Sequence, residues 1–143
     1  MPITYDSQNK TFKLDTKTSS YIIHVYQEAY LLNLYYGALI PDTFIPMREK
    51  RPCNASFSLT NPVVTEYGFT PDTAPMEYGC NGAADFRISA LAVRNHDGNS
   101  TTDLRYVGHL IYSGKPDMVG MPSTYLNNEQ EEYRGKKFCC YFT

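Results

Sequence analysis

The chain has 143 residues, the length of one domain, and its 42% hydrophobic and 20% charged residues exclude a disordered composition. Thirteen basic against fifteen acidic side chains give a net charge of −2, so no positive field is available for a nucleic acid and no such partner is expected. The apolar runs are too short to span a membrane, and the first residues lack the features of a signal peptide. The sequence therefore predicts a cytoplasmic location without a membrane partner.

The strands are expected to begin at once. Residues 3–5, 12–14, 21–26 and 30–36 alternate apolar with polar side chains or are dense in aromatic and β-branched ones, and polar turns separate them. One helix over residues 21–36 is the alternative, because the apolar run is long. The aromatic and β-branched side chains disfavour that helix.

A long loop is predicted next. Residues 38–78 hold six of the nine prolines. Because proline has no backbone N–H and interrupts strand pairing, this segment is expected to be irregular, with at most short strands. Loops of this length in a compact domain are usually functional or mobile.

Strands are expected to resume beyond Asp85. Residues 86–94 and 102–112 flank an Asp-Gly turn at 95–99, and residues 118–126 are a further extended candidate. Strict alternation within 102–112 places Tyr106 and His109 on opposite sides. Together the elements predict an all-β fold, an antiparallel β-sandwich with one long Pro-rich loop.

The cysteines do not form a metal-binding pattern. They contain no CxxC motif, and the histidines lie far from one another, so the sequence predicts no metal site and no cofactor. Neighbouring cysteines rarely bridge each other without strain, and a cytoplasmic chain keeps its thiols reduced. All four are therefore interpreted as free thiols: Cys53, Cys80, Cys139 and Cys140.

The candidate catalytic groups are few. No nucleophile motif accompanies the histidines, which are interpreted as surface or structural residues: His24, His96 and His109. Glu77 and Asp85 form a candidate carboxylate pair for glycoside hydrolysis. The favoured interpretation is that Asp85 and Arg87 share a strand face and pair as ions. No residue is therefore assigned as catalytic.

The Pro-rich loop carries a small basic cluster. Arg48, Lys50 and Arg51 are interpreted as solvated, with hydrogen bonding to a polyol as the alternative. The triplets beginning at Asn54 and Asn99 match the glycosylation pattern, but without an export signal they are interpreted as chance matches.

A series of motifs follows in order along the chain. They are Tyr-Tyr-Gly at 35–37, Glu-Tyr at 77–78, Asp-Phe-Arg at 85–87, Thr-Asp-Leu-Arg-Tyr-Val at 102–107, Gly-Lys-Pro at 114–116 and Gly-Met-Pro-Ser-Thr-Tyr at 120–125. Over about residues 1–126 this order resembles the N-terminal β-domain of family 36 glycoside hydrolases, the bacterial α-galactosidases. Departures are Gly79 and Ser89, where the family has proline. The resemblance implies part of a β-supersandwich over residues 1–132. The divergent tail over 133–143 is interpreted as a truncated or frame-shifted end, or as a terminus specific to this chain.

The resemblance also implies a role. The family hydrolyses terminal α-galactosides with a later (β/α)8 barrel that carries a Lys-Trp-Asp segment, and this chain has no Trp. It is therefore expected to be a non-catalytic, scaffold and subunit-contact domain, inactive alone. A loop of the family's domain reaches a neighbouring active site, where an acidic residue contacts the sugar. The best match places Asn54 at this substrate-binding position, with Cys53 as the neighbouring register. Arg51 of the basic cluster is the second substrate-binding candidate.

The expected partners follow from the same resemblance. They are a galactoside, and either a second copy of the chain or a catalytic barrel. An incomplete sandwich leaves unpaired edges, which favours self-association, and residues 138–142 would either cap an edge or aggravate the exposure. Two alternatives stay open. One is a stand-alone carbohydrate-binding or protein-interaction module that uses exposed tyrosines, and the other is an independent small enzyme.

Overall fold

The computed structural model describes residues 3–46, 64, 69–82, 85–112, 120 and 137–142, with the backbone alone at 112 and 137–142. All regular structure in these residues is β-strand, arranged as a four-stranded and a two-stranded antiparallel sheet. The expected all-β sandwich is confirmed, and residues 21–36 form strands rather than one helix. This described part of the chain includes no helix long and apolar enough to cross a membrane.

The larger sheet is a meander of consecutive strands: β1 (Ile3–Asp6), β2 (Thr11–Asp15), β3 (Ser19–Tyr26) and β4 (Tyr30–Ala38). Phe12 lies opposite Tyr5 on one side and Ile23 on the other. The β3–β4 register shifts next to Ile23, where Leu34 is the extra residue of β4. Short turns join the strands, so the register is set locally.

Two of the turns contain left-handed backbone. Gln27 and Glu28, between β3 and β4, have φ angles of 49° and 58°. The amide of Ala29 donates to the carbonyl of Tyr26 at 3.0 Å, which is the pattern of a type I′ hairpin turn. Lys10 precedes β2 with a φ of 52°, and its ammonium pairs with the Glu28 carboxylate. Residues other than glycine are strained in this left-handed backbone conformation.

The four-stranded sheet is buried on both faces. On the loop face, the Pro-rich segment covers β3 and β4, since Phe69 stacks on Tyr26 and Tyr30 with ring centroids 5.2 and 5.8 Å apart. Val64 and Ala74 join this cluster. The opposite face, the hairpin face, carries a second cluster: Phe12, Ile23, Val25 and Leu31. Two-sided burial explains why β3 and β4 read as nearly continuous apolar runs.

The Pro-rich segment also covers the edge of β4. Met76 forms an antiparallel bridge with Leu32. The amide of Glu77 donates to the carbonyl of Leu31 at 2.8 Å, and that of Asn33 donates to the carbonyl of Pro75 at 2.7 Å. Apart from this bridge, the described parts of the loop contain no paired strand, as predicted. An edge that would otherwise be open for pairing is closed.

The smaller sheet pairs β5 (Tyr106–Tyr112) with β6 (Lys137–Phe142). The C-terminal segment therefore caps an edge, the first of the two alternatives. Tyr106 lies opposite Phe142 and Gly108 opposite Tyr141, so Val107 is an extra, bulged residue. The bulge brings Tyr106 and His109 to the same face, and the prediction that they lie on opposite sides is wrong.

The side chains of β5 cover the hairpin face. The His109 ring lies 4.5 Å from the Tyr5 ring and 4.6 Å from the Phe12 ring, centroid to centroid. The Tyr106 hydroxyl and His109 Nδ1 share a hydrogen bond of 2.7 Å. The Tyr106 amide donates to the carbonyl of Ala29 at 2.7 Å, which ties β5 to the β3–β4 turn.

The strand predicted over residues 86–94 is absent, so that prediction is wrong. Phe86 and Ile88 are 70% and 98% exposed, and the intervening Arg87 is turned inward. The amide of Ala90 donates to the carbonyl of Gly79 at 2.9 Å. This backbone hydrogen bond and the side-chain hydrogen bonds of Arg87, rather than a strand ladder, hold this segment. The turn at 95–99 forms as predicted, and the candidate strand at 118–126 lies outside the described residues except for Gly120.

Candidate functional site

The two predicted substrate-binding residues, Arg51 and Asn54, lie outside the described residues, as do Arg48 and Lys50 of the same basic cluster. Their assignment stays a prediction. The other candidates from the sequence, the histidines and the carboxylates, are described with their side chains.

Asp85 is held by an ion pair. Arg87 donates from Nε to Asp85 Oδ1 and from an NH2 group to Oδ2, each at 2.9 Å. Burial acts to raise the pKa of Asp85, but the hydrogen bonds and the charge of Arg87 outweigh it and hold the pKa below its usual 3.8. The predicted pairing of the two side chains is confirmed, although in a loop rather than on a strand face. Asp85 is therefore an ionised structural carboxylate.

Glu77 belongs to a separate network on the hairpin face. The Tyr21 hydroxyl donates to Glu77 Oε2 and accepts from Asn33 Nδ2 at 3.0 Å. Burial, together with the hydrogen bond and charge of Glu77, raises the pKa of the Tyr21 phenol. The phenol therefore stays protonated and keeps donating to the carboxylate. Glu77 and Asp85 are each bound by different partners and do not share a proton or a ligand.

Exposed aromatic side chains lie beside this network. Tyr36 is 76% exposed, and its ring meets the Tyr21 ring edge-on at a centroid distance of 5.8 Å. Tyr78, 44% exposed, follows Glu77 directly and lies close enough to affect the pKa of Tyr21 electrostatically. We call these residues the Tyr36 cluster: Tyr21, Asn33, Tyr36, Glu77 and Tyr78.

The sequence interpretation missed this cluster. A signal was present in Asn33, the one amide side chain within the strand that runs Tyr-Leu-Leu-Asn-Leu. A polar side chain in a strand that is buried on both faces needs a hydrogen-bond partner. The sequence contained no indication that the partner would be Tyr21 of the neighbouring strand.

The histidines are structural or exposed. His109 is packed against Tyr5 and Phe12, and burial lowers its pKa. Burial also lowers the pKa of His24, although hydrogen bonds to the backbone of Asn9 and Lys10 oppose the shift. His96 is exposed in the turn at 95–99. Within the part of the chain that the structure describes, none of the three is hydrogen-bonded to a Ser or Cys side chain, and no nucleophile–base pair forms there.

Among the described residues, no group of three or more His, Cys, Asp or Glu side chains could hold a metal ion. Cys80 is buried as a free thiol, as predicted. The side chains of the other three cysteines lie outside the described part.

Comparison with known proteins gives the family of this fold. Residues 29–135 match the model of the glycosyl hydrolase family 36 N-terminal domain. The chain belongs to glycoside hydrolase family 36. It is 37% identical over 131 residues to the α-galactosidase AgaA of Geobacillus stearothermophilus and 36% identical over 129 residues to α-galactosidase 1 of Pediococcus pentosaceus. The matches cover 92% and 90% of this chain, which confirms the resemblance seen in the motifs.

A solved family 36 structure shares the fold. The crystal structure of α-galactosidase AgaB from Geobacillus stearothermophilus superposes with a TM-score of 0.75 at 39% identity, over 92% of this chain and 17% of that chain. The matched region is likewise 18% of the length of AgaA. The chain therefore corresponds to the N-terminal domain of these family 36 enzymes and spans less than a fifth of their length.

Proposed function

We propose that this chain serves as the non-catalytic N-terminal β-domain of an α-galactosidase and that residues outside it carry out the hydrolysis. The family match over residues 29–135 is the observation that carries the proposal. The relatives with which this chain aligns are α-galactosidases. The crystal structure of a variant of one of them, AgaA, has been solved in complex with raffinose.

The carboxylates support a structural role. Retaining and inverting glycosidases need two carboxyl groups on either side of one glycosidic bond, one of them able to give a proton. Asp85 is bound bidentately by Arg87, and Glu77 by the Tyr21 phenol. A pair so engaged in two networks lacks the acid and nucleophile arrangement that the reaction needs.

A transfer of the domain tests this proposal. The segment of AgaA that aligns with this chain is replaced by residues 1–132, and raffinose hydrolysis is measured beside the parent enzyme. We expect the chimaera to keep a kcat within about tenfold of the parent, since 37% identity preserves the docking surfaces approximately. A folded chimaera without activity would overturn the proposal.

We extend the proposal to the Pro-rich loop, in which Arg51 and Asn54 bind the sugar held by a neighbouring subunit's active site. An arginine and an asparagine suit this task, because both donate hydrogen bonds to hydroxyl groups. In the chimaera, Asn54→Ala and Arg51→Ala should lower kcat/KM by about tenfold, the value of one lost hydrogen bond to substrate. Ser58→Ala in the same loop is the control, with kcat/KM unchanged.

The exposed apolar side chains support contacts with other subunits. Val107 and Leu110 lie on β5, and Phe86 and Ile88 lie in the irregular segment 86–94; all four side chains are largely exposed. We therefore propose self-association or docking to a catalytic barrel, in the cytoplasm, where the free thiol of Cys80 remains reduced. Sedimentation of the purified chain should reveal dimers or larger species. A monodisperse monomer would contradict self-association.

A further inference from the structure

The Tyr36 cluster combines the two features by which proteins hold neutral sugars. Its aromatic component is the Tyr36 ring, which is 76% exposed and fixed at one edge by the Tyr21 ring. Its polar component is the line of hydrogen bonds from Asn33 through the Tyr21 hydroxyl to Glu77. These residues come from β3, β4 and the segment that closes the edge of β4, so backbone pairing holds them in place.

The polar side chains keep hydrogen-bonding capacity. Glu77 uses Oε2 for Tyr21, and Asn33 uses one N–H. Among the described residues, Glu77 Oε1, Asn33 Oδ1 and the second Asn33 N–H have no hydrogen-bond partner. Two acceptors and one donor therefore remain on half-buried side chains beside an exposed ring.

This arrangement selects the chemistry of its ligand. The Glu77 carboxylate repels anions, and an open surface gives little burial to a purely apolar molecule. The vicinal hydroxyl groups of a sugar donate to carboxylate and amide oxygens, and the C–H face of the ring packs on an aromatic side chain.

We propose that the Tyr36 cluster is a saccharide-binding subsite, in which Tyr36 packs on the apolar face of a galactoside while Glu77 and Asn33 accept its hydroxyl protons. Because the site is open, the dissociation constant is on the order of millimolar. The choice of a galactoside as probe rests on the proposed function, but the binding itself requires no catalytic domain.

The experiment is an NMR titration of the ¹⁵N-labelled 143-residue chain with raffinose and with methyl α-galactoside. Saturable amide shifts are expected at Asn33, Tyr36, Gly37 and Glu77. Tyr36→Ala should weaken binding by about tenfold, and Tyr36→Phe, which keeps the ring, should bind as the parent does. Glu77→Gln should weaken binding several-fold. Gln8→Ala, in the exposed turn between β1 and β2, is the control and should leave the dissociation constant unchanged.

The proposal is overturned by the absence of saturable shifts up to the solubility limit of the sugars, by shifts confined to residues outside the cluster, or by undiminished binding in Tyr36→Ala. Choline, a cation that also binds aromatic rings, is titrated in parallel. Choline shifts without sugar shifts would also overturn it. An active chimaera without sugar shifts would reject this subsite alone, and sugar shifts with an inactive chimaera would reject the proposed function alone.

Discussion

The Arg87 side chain donates two hydrogen bonds of 2.9 Å to the Asp85 carboxylate, and two further N–H groups donate to the carbonyls of Pro71 and Ala74 at 2.6 and 2.8 Å. One side chain therefore joins the end of the Pro-rich segment to the start of the segment that follows it. The same segment covers the loop face of the sheet. This interaction holds Pro71 and Ala74 of the loop next to Asp85.

Asp85→Asn should destabilise the fold by about 2 kcal/mol, since it replaces the charged, bidentate acceptor of the guanidinium with a single neutral amide oxygen. The value is below that of a fully buried pair because Arg87 is 38% exposed. Urea denaturation gives the free energy of unfolding. Glu28→Gln, which breaks the solvent-exposed pair with Lys10, is the control and should cause no measurable change. Equal stability of Asp85→Asn and the parent would exclude a structural role for this pair.

The ion pair also predicts a loss of stability in acid. The pKa of Asp85 is lower in the folded than in the unfolded chain, where it is near 3.8. Its contribution is therefore complete above about pH 4 and is lost as the pH falls through the folded-state pKa. The difference in unfolding free energy between the parent and Asp85→Asn should shrink below pH 4. A difference that stays constant down to pH 2 would contradict this.

Gln27→Gly should stabilise the chain by about 0.5–1 kcal/mol, because glycine relieves a φ of 49° and the relief exceeds its entropic cost. Gln8→Gly is the matched control: Gln8 is an exposed turn residue outside the left-handed region, so the same substitution should destabilise. Thermal unfolding of both variants decides the point. Shifts of the same sign in the two variants would reject strain at Gln27.

The buried histidines predict a second pH dependence. Burial lowers the folded-state pKa of His24 and His109 below the usual 6.5, so the unfolded chain binds more protons just below that pH. The free energy of unfolding should be unaffected by these groups above pH 6.5 and should fall as the pH drops toward their folded-state pKa values. His109→Gln should reduce this slope. An unchanged slope in His109→Gln would contradict this pH dependence.

Gly82→Ala should lower the free energy of unfolding by about 2 kcal/mol. The backbone there has a φ of 132°, and an added Cβ would lie 2.5 Å from Thr101 Cγ2. Gly98→Ala is the control, because Gly98 has a φ of 85° but no atom lies within 4 Å of the added Cβ. This variant has backbone strain without a clash, so its free energy of unfolding should fall by about 1 kcal/mol. Adding Thr101→Ser to Gly82→Ala removes the clashing methyl and should recover part of the loss. If denaturant unfolding shows that the double variant is no more stable than Gly82→Ala, the clash is excluded.

The sequence allowed the four-stranded sheet to be predicted, because aromatic and β-branched density identifies strands that are buried on both faces. It failed where a distant partner decides the structure. Residues 86–94 look like a strand, yet Arg87 is drawn to carbonyl groups 13 and 16 residues earlier, which leaves Ile88 exposed. Alternation within β5 fails at Val107, because a bulge adds a residue that no local pattern marks.

The candidate sites also differ in how far the sequence predicts them. The Asp85–Arg87 pair was predictable, since the two residues are near neighbours in the sequence. The network from Asn33 through Tyr21 to Glu77 was not, because Tyr21 and Glu77 are 56 residues apart and meet only when the Pro-rich segment pairs with β4. Asn54 was assigned by family resemblance and Arg51 from the basic cluster of the Pro-rich loop, and the chimaera tests both.

The most direct test of the central claim, that this chain has no glycosidic chemistry of its own, is a sensitive fluorogenic α-galactoside assay of the purified 143-residue chain. We expect no turnover above the uncatalysed rate for the parent, Asp85→Asn and Glu77→Gln alike. Turnover by the parent that either substitution abolishes would contradict it and would assign the chemistry to this domain.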